Sequence, residues 1–255
     1  MLRQKTIFTA KFQVMLCTTR GIIIHVTPYN DTSSIVHAYT EMFGRTSYLI
    51  ARQRKRKTMA SYALFMPLSV VELEVEHLKT RDIQRVKEAK LCFAMSSIPT
   101  HPVKNTIALF LAEVLFRLIR MKEADPKLFD YLFNSIRYLE ILEQGIANFH
   151  LVFLIHLSRY LGIFPNVESY APGVFFDLLN GVFTTLAPTH PHYLSQEESS
   201  IFHRILRLNY ENMALHSFSR KERTTIIHYI LTYYRLHFPD FPEIKSLAVM
   251  QSLFD

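Results

Sequence analysis

The chain has 255 residues, of which 49% are hydrophobic and 13% aromatic, with six glycines and a formal charge of +7. That is apolar material for one or two packed domains, without the bias of disordered or collagen-like chains. Two cysteines, Cys17 and Cys92, are too few for a disulfide framework and lack zinc-site spacing, so a reducing cytoplasm is expected. No apolar stretch approaches the roughly 20 residues needed to span a bilayer, and Met1 to Leu16 lacks the apolar run of a secretory signal.

Residues 1–80 carry 11 Lys and Arg against 5 Asp and Glu, whereas residues 81–255 carry 18 against 17. The basic excess therefore lies in the first third. An anionic polymer or surface is its natural partner, because phosphates neutralised by cations release condensed counterions.

In the first 80 residues, apolar positions alternate or are β-branched, and turn signals separate them. Thr18 to Val26, with Gly21, Ile22, Ile23, Ile24 and Val26, predicts a buried strand that ends in the turn Thr27-Pro28-Tyr29-Asn30-Asp31. Ser34 to Thr40 and Arg45 to Ala51 flank Glu41-Met42-Phe43-Gly44, whose glycine suits the positive φ of a hairpin loop. Val71, Leu73 and Val75 alternate with Glu72, Glu74 and Glu76, as in a strand with one wet face. These strands predict a small antiparallel β-barrel over residues 15–80.

From 81 to 255 the apolar period reads as 3.6 and prolines fall between the periodic segments, predicting a larger all-helical domain and an α+β chain overall. Ile83, Val86, Ala89, Lys90 and Phe93 outline a first helix; Ile107, Phe110, Leu111, Val114, Leu115 and Leu118 outline a second, beginning near Pro102. Asp125-Pro126 caps a third. A fourth runs from about Ala147 to Leu161 and stops at Gly162. Phe164 to His192, rich in Pro and Gly, predicts a long connection with at most short elements. Ser195 with Glu198 and Ser219 with Glu222 form capping boxes for two more helices, and the chain ends in a helix after Pro242.

Arg52-Gln53-Arg54-Lys55-Arg56-Lys57 is the densest cation run. Like charges packed this closely repel one another, so the run points to an anionic partner, with DNA or RNA favoured over a merely solvated loop. Arg20, Arg45 and Lys79 are candidates to extend the patch, and Tyr29, Tyr39, Tyr48 and Phe43 are candidate faces for unstacked bases, although aromatics in a small barrel are more often core. Enzyme signatures are missing: there is no phosphate-binding Gly loop with lysine, His-Glu-x-x-His, Gly-x-Ser-x-Gly or Cys-x-x-Cys. His190, His192, His203 and His216 lack carboxylates or thiolates at ligand spacing, so surface histidines are the better reading. Glu197-Glu198 and Glu140/Glu143 read as helix-start or solvated acids.

Further residues carry a family resemblance spread over the chain. Gly21-Ile22-Ile23-Ile24 with Tyr29-Asn30-Asp31-Thr32-Ser33-Ser34-Ile35-Val36 resembles the first strand, turn and second strand of the bacterial DNA-repair RecO family. Phe43-Gly44-Arg45 is similar to that family's hairpin, and Ala51 to Lys57 to its basic segment. Leu161-Gly162-Ile163-Phe164-Pro165, Phe175-Phe176-Asp177-Leu178, Gly181-Val182-Phe183 and Ile244-Lys245-Ser246 resemble later family segments.

The resemblance implies an N-terminal OB-fold, a helical domain and no catalysis or cofactor. It implies a cytoplasmic repair and recombination mediator that binds single- and double-stranded DNA, anneals complementary strands, and works with RecR to load the recombinase RecA. It also implies contact with the acidic C-terminal tail of single-strand-binding protein, for which Arg117 with Arg120 and Arg204 with Arg207, each pair three positions apart beside apolar residues, are candidates. Many members hold zinc with four cysteines, yet here the interval reads Asn166-Val167-Glu168-Ser169-Tyr170-Ala171-Pro172-Gly173, so folding without metal is expected. Residues 1–14 are extra to the family pattern and read as an extension or a misassigned start. An RNA-binding module or a membrane-surface adaptor using the same basic barrel remains as a rival, the adaptor lacking an amphipathic anchor. A nucleic-acid-modifying enzyme would require clustered carboxylates that the spacing does not supply.

Overall fold

Strand β1 (Met15–Asn30) runs for 16 residues, twice the length of β2 (Ser33–Thr40), because it serves two partners. Residues 15–51 and 64–252 are described by the computed structural model. The first half of β1 pairs with β4 (Val70–His77) and the second half with β2. Gly21 sits where the two pairings meet, opposite both Thr40 and Val71, and a Cβ there would lie 3.3 Å from the Leu73 side chain. Strands β3 (Gly44–Ala51) and β5 (Ile83–Leu91) complete a closed barrel in the order β1-β2-β3-β5-β4. All pairings are antiparallel except the closing one, where Ser47 to Leu49 run parallel to Ile83 to Arg85. Ile23, Val36, Ala38, Tyr48, Val71, Leu73 and Val75 fill the interior.

The segment from Ile83 to Leu91 is a correction to the sequence reading: it forms β5 where a helix is expected, so the barrel extends through Leu91, beyond residue 80. A β-bulge explains the misreading. Glu74 faces Glu88 but Val75 faces Val86, so Lys87 is an extra residue and the inward positions become 84, 86, 89 and 91. That one spacing of three imitates a helical period. Buried Gln84 closes the β4–β5 turn, donating to the carbonyls of Leu78 and Arg81 and accepting from the Leu78 N–H.

Helices follow: α1 (Ser97–Thr100), α2 (Pro102–Leu118), α3 (Pro126–Ile141) and α4 (Phe149–Tyr160). The Pro- and Gly-rich connection holds a three-stranded sheet, β6 (Phe175–Asp177), β7 (Val182–Thr184) and β8 (Tyr193–Leu194), in the order β7-β6-β8. The second part is thus not wholly helical. Helices α5 (Gln196–Leu206), α6 (Arg220–His237) and α7 (Ser246–Ser252) end the described chain. The local signals act as read: Asp125 accepts from the N–H groups of Lys127 and Leu128, and both serine–glutamate capping boxes are formed. Among the described residues no helix is long and apolar enough to cross a membrane.

Glu140 corrects another expectation. It is buried, and its carboxylate accepts from the backbone N–H groups of Ser96, Ser97 and Ile98. Burial opposes its charge, but those hydrogen bonds, with the Lys104 ammonium, hold its pKa below the usual carboxylate range. Lys104 donates to Ser97 Oγ and to the Glu140 carbonyl, so the charged atoms are partnered.

The main hydrophobic core contains Ile22, Ile24, Tyr39 and Val70 of the barrel together with the α2, α3 and α4 side chains, so the two parts share one interior. Gly44, at φ +59°, lets the β2–β3 hairpin press against the chain at Glu123, where a Cβ would overlap the Glu123 carbonyl. Gly44→Ala should therefore cost at least the roughly 1–2 kcal/mol of a left-handed alanine, and lower Tm by about 2–4 °C for each kcal/mol. A thermal melt matching the parent would refute this packing.

Candidate nucleic-acid interface

The β2–β3 hairpin, the β4–β5 turn and the chain from Arg120 to Ala124 enclose a groove of about 730 Å³. Its position follows from Gly44 and from a backbone bond, Arg45 N–H to the Met121 carbonyl at 3.2 Å, which bring the hairpin against the helical part. Five cationic side chains line it, Arg45, Lys79, Arg81, Arg120 and Lys122, against the two carboxylates of Asp82 and Glu123. Lys122 pairs with Asp82 at 3.0 Å and Arg120 with Asp240 at 2.9 Å, both as exposed pairs that a stronger anion displaces at small cost. Arg81 Nη1 is buried with no hydrogen-bond partner. Phe43 and His77 form an aromatic wall, their rings 3.9 Å apart and 4° from parallel. Burial, then the Lys79 ammonium, lowers the His77 pKa, which favours the neutral ring.

The outer face of β1, β2 and β3 is covered beside this groove. His25 and His37 pack on Phe116 of α2 with centroids 4.3 and 5.2 Å away, and His37 Nδ1 lies 2.9 Å from Ser47 Oγ. Arg45 reaches over the same ring at 4.5 Å and donates through Nη1 to the carbonyls of Phe116 and Ile119. Burial, with Arg45 and His25 adding to it, pushes the His37 pKa down to about 4. Burial and Arg117 lower His25 as well.

Of the residues singled out in the sequence, Phe43, Arg45, Lys79 and Arg120 line the groove, and Arg52, Arg54, Lys55, Arg56 and Lys57 lie outside the described residues. Arg20 and Arg45 are committed to the joint between barrel and helices. Arg20 makes a bidentate pair with Glu41 at 2.8 and 2.6 Å and stacks over Phe133 at 4.8 Å. Tyr39 and Tyr48 are buried core residues, so neither offers a base-stacking face, while Tyr29 is 59% exposed. The arginine pairs separate because each helix ends between its two members: α2 stops at Leu118 and α5 at Leu206.

Arg117 enters a second groove, of about 680 Å³, with Leu109, Phe116, Val249 and Lys245. The Arg117 Nε is buried without a hydrogen-bond partner. The one carboxylate there, Glu113, is occupied by the N–H groups of Lys245 and Ser246 and by the Ser246 hydroxyl. Arg204 stacks over Phe218 at 5.8 Å, whereas Arg207 faces a shallower hollow with Arg159 and His203. Arg81, His77 and Lys122 were not visible as site residues, since Lys122 joins the groove only through the fold. Among the described residues no group of three or more His, Cys, Asp or Glu is placed to hold a metal ion. Asp177, in the segment after the expected zinc interval, instead accepts from Leu179, Asn180 and His190.

Family models described as recombination protein O N terminal and C terminal match residues 15–95 and 99–247. A DNA repair protein RecO of Azobacteroides pseudotrichonymphae is 46% identical over 241 residues, covering 94% of this chain and all of that protein. Proteins of the same name from Bacteroides fragilis and Porphyromonas gingivalis are 46% and 40% identical, each again covering 94% of this chain and their own full lengths.

Histidines depressed in the folded state bind fewer protons than the unfolded chain, whose histidines titrate near about 6.5. Between about pH 4 and 6.5 stability therefore rises with pH and is lost on acidification. His37 at about 4 sets the lower edge of that window, and buried His150 at about 3 extends the loss below it. Glu113 and Glu140, depressed carboxylates, lose their contribution at lower pH, as it falls through their folded values. Tm should fall from pH 6.5 to 4.5, and His37→Gln should flatten the decline in part. An unchanged slope would remove His37 from the proton-linked groups.

Proposed function

The chain belongs to the RecO family of DNA-repair proteins, and from that premise we propose that it acts as a mediator that binds single- and double-stranded DNA through the basic barrel. In this reading it promotes strand annealing and, with RecR and single-strand-binding protein, assists loading of RecA. The observation that carries the reading is the groove at the barrel rim, where Lys79, Arg81, Arg120 and Lys122 face two carboxylates. Annealing needs phosphate repulsion neutralised and bases left accessible, which fixed cations accomplish without bond chemistry.

The Arg52 to Lys57 run adds the largest local charge. Reversing Arg54, Lys55 and Arg56 to glutamate should abolish most DNA binding measured by fluorescence anisotropy. For the parent, if four or five cations contact phosphate, log affinity for single strands should fall against log salt with a slope of about −3. A flat salt response, or affinity untouched by the reversal, would overturn this part.

The tail of single-strand-binding protein, acidic with an apolar last residue and a free carboxylate, fits the second groove best. Leu109, Phe116 and Val249 supply an apolar floor, and Arg117 and Lys245 supply two cations against the single carboxylate of Glu113. Arginine grips carboxylates bidentately. A fluorescent tail peptide should bind the full chain, and both removal of its last residue and Arg117→Ala should weaken it about tenfold or more, the loss of roughly one charge-assisted bond. Arg204→Ala should have little effect. Loss on Arg204→Ala with Arg117→Ala silent would move the tail elsewhere.

A further inference from the structure

We propose that a single DNA strand is held jointly by both parts of the protein, in the groove between the β2–β3 hairpin, the β4–β5 turn and the Arg120–Ala124 chain, with an unpaired base against the Phe43–His77 pair. This rests on the DNA-binding reading and specifies its site. An OB-type barrel ordinarily binds oligonucleotides across its second and third strands. Here part of that face is closed, because His25, His37 and Arg45 pack on Phe116 of α2. A strand must then run along the margin, and the margin with cations and an aromatic wall is this groove.

The charges come from both sides. Lys79 and Arg81 project from the β4–β5 turn, while Lys122 belongs to the segment after α2. Lys79 and Arg81 form no ion pair with any described carboxylate, and buried Arg81 Nη1 lacks a partner. A buried unpaired guanidinium donor is costly unless an acceptor arrives, and phosphate oxygen is one that fits its fork. Aromatic stacking accepts any base but only one freed from its complement, so the Phe43–His77 wall selects single strands over duplex.

The chain contains no tryptophan, so a single introduced indole reports on the groove alone. In the full-length protein, Phe43→Trp should show fluorescence quenching on titration with oligothymidylate, and much less with a blunt duplex. Met42→Trp, on exposed Met42 in the same groove, serves if Phe43→Trp does not fold. Each lost phosphate contact lowers the single-strand salt slope by about 0.7. Lys79→Ala with Arg81→Ala should therefore lower it by about 1.4, and Lys122→Ala alone by about 0.7. An indole unresponsive to oligothymidylate that anisotropy shows to be bound, with slopes unchanged, would overturn the groove and leave DNA binding to the Arg52–Lys57 run. Equal quenching by duplex would overturn the stacking selectivity. Absence of binding to any DNA would defeat the wider reading and this one with it.

Discussion

Arg45 fastens the barrel to the helices, and much of the molecule's arrangement depends on that contact. Its guanidinium donates to the carbonyls of Phe116 and Ile119 at the end of α2, where helical carbonyls lack intrahelical partners and the dipole favours a cation. It also lies over the Phe116 ring, 4.5 Å from its centroid. A lysine could supply the charge but not the planar contact. Burial and the nearby Arg120 and Arg117 lower the Arg45 pKa, yet a guanidinium remains charged.

From that joint several consequences run outward. Phe116 packs on His25 and His37, and this partial covering lowers the pKa of both imidazoles. Met121 is drawn to the Arg45 backbone, so the segment carrying Arg120 and Lys122 lies beside the hairpin. The same contact that closes part of the barrel's outer face therefore opens a charged groove at its edge. One turn earlier on α2, Glu113 holds the start of α7, and the second groove forms between these helices and the barrel. Arg45, which lines the first groove, rests on Phe116, which lines the second.

The shared core bears on how the parts can be studied. Ile22, Ile24 and Tyr39 of the barrel lie in the same buried cluster as Phe110, Leu111 and Phe129 of the helices. Cutting the chain between barrel and helices would expose these residues to water at about 25 cal/mol for each Å². The parts are regions of one packed body, not beads on a linker. Arg20 reinforces this, since its pair with Glu41 is seated on Phe129 and Phe133 of α3.

The sequence by itself determined most of the local structure. The strand alternation of Ser34–Thr40 and Val71–Val75, the Asp125-Pro126 start of α3 and the two capping boxes are all decided within a few residues, so they could be read directly. The concentration of positive charge in the first third and the family resemblance were legible for the same reason. Tertiary structure decided what depends on distant partners. The bulge at Lys87 shifts the period of β5, and only pairing with β4 shows it as a strand. The sequence favours core positions for Tyr39 and Tyr48 without deciding them, and barrel closure buries both; Arg45 resembles a DNA contact until α2 presents its carbonyls. Lys79 and Lys122, 43 positions apart, become neighbours in one groove because a left-handed glycine and an arginine hold two regions together. Periodicity and capping record short-range forces, whereas a binding groove records which surfaces a shared core brings into contact.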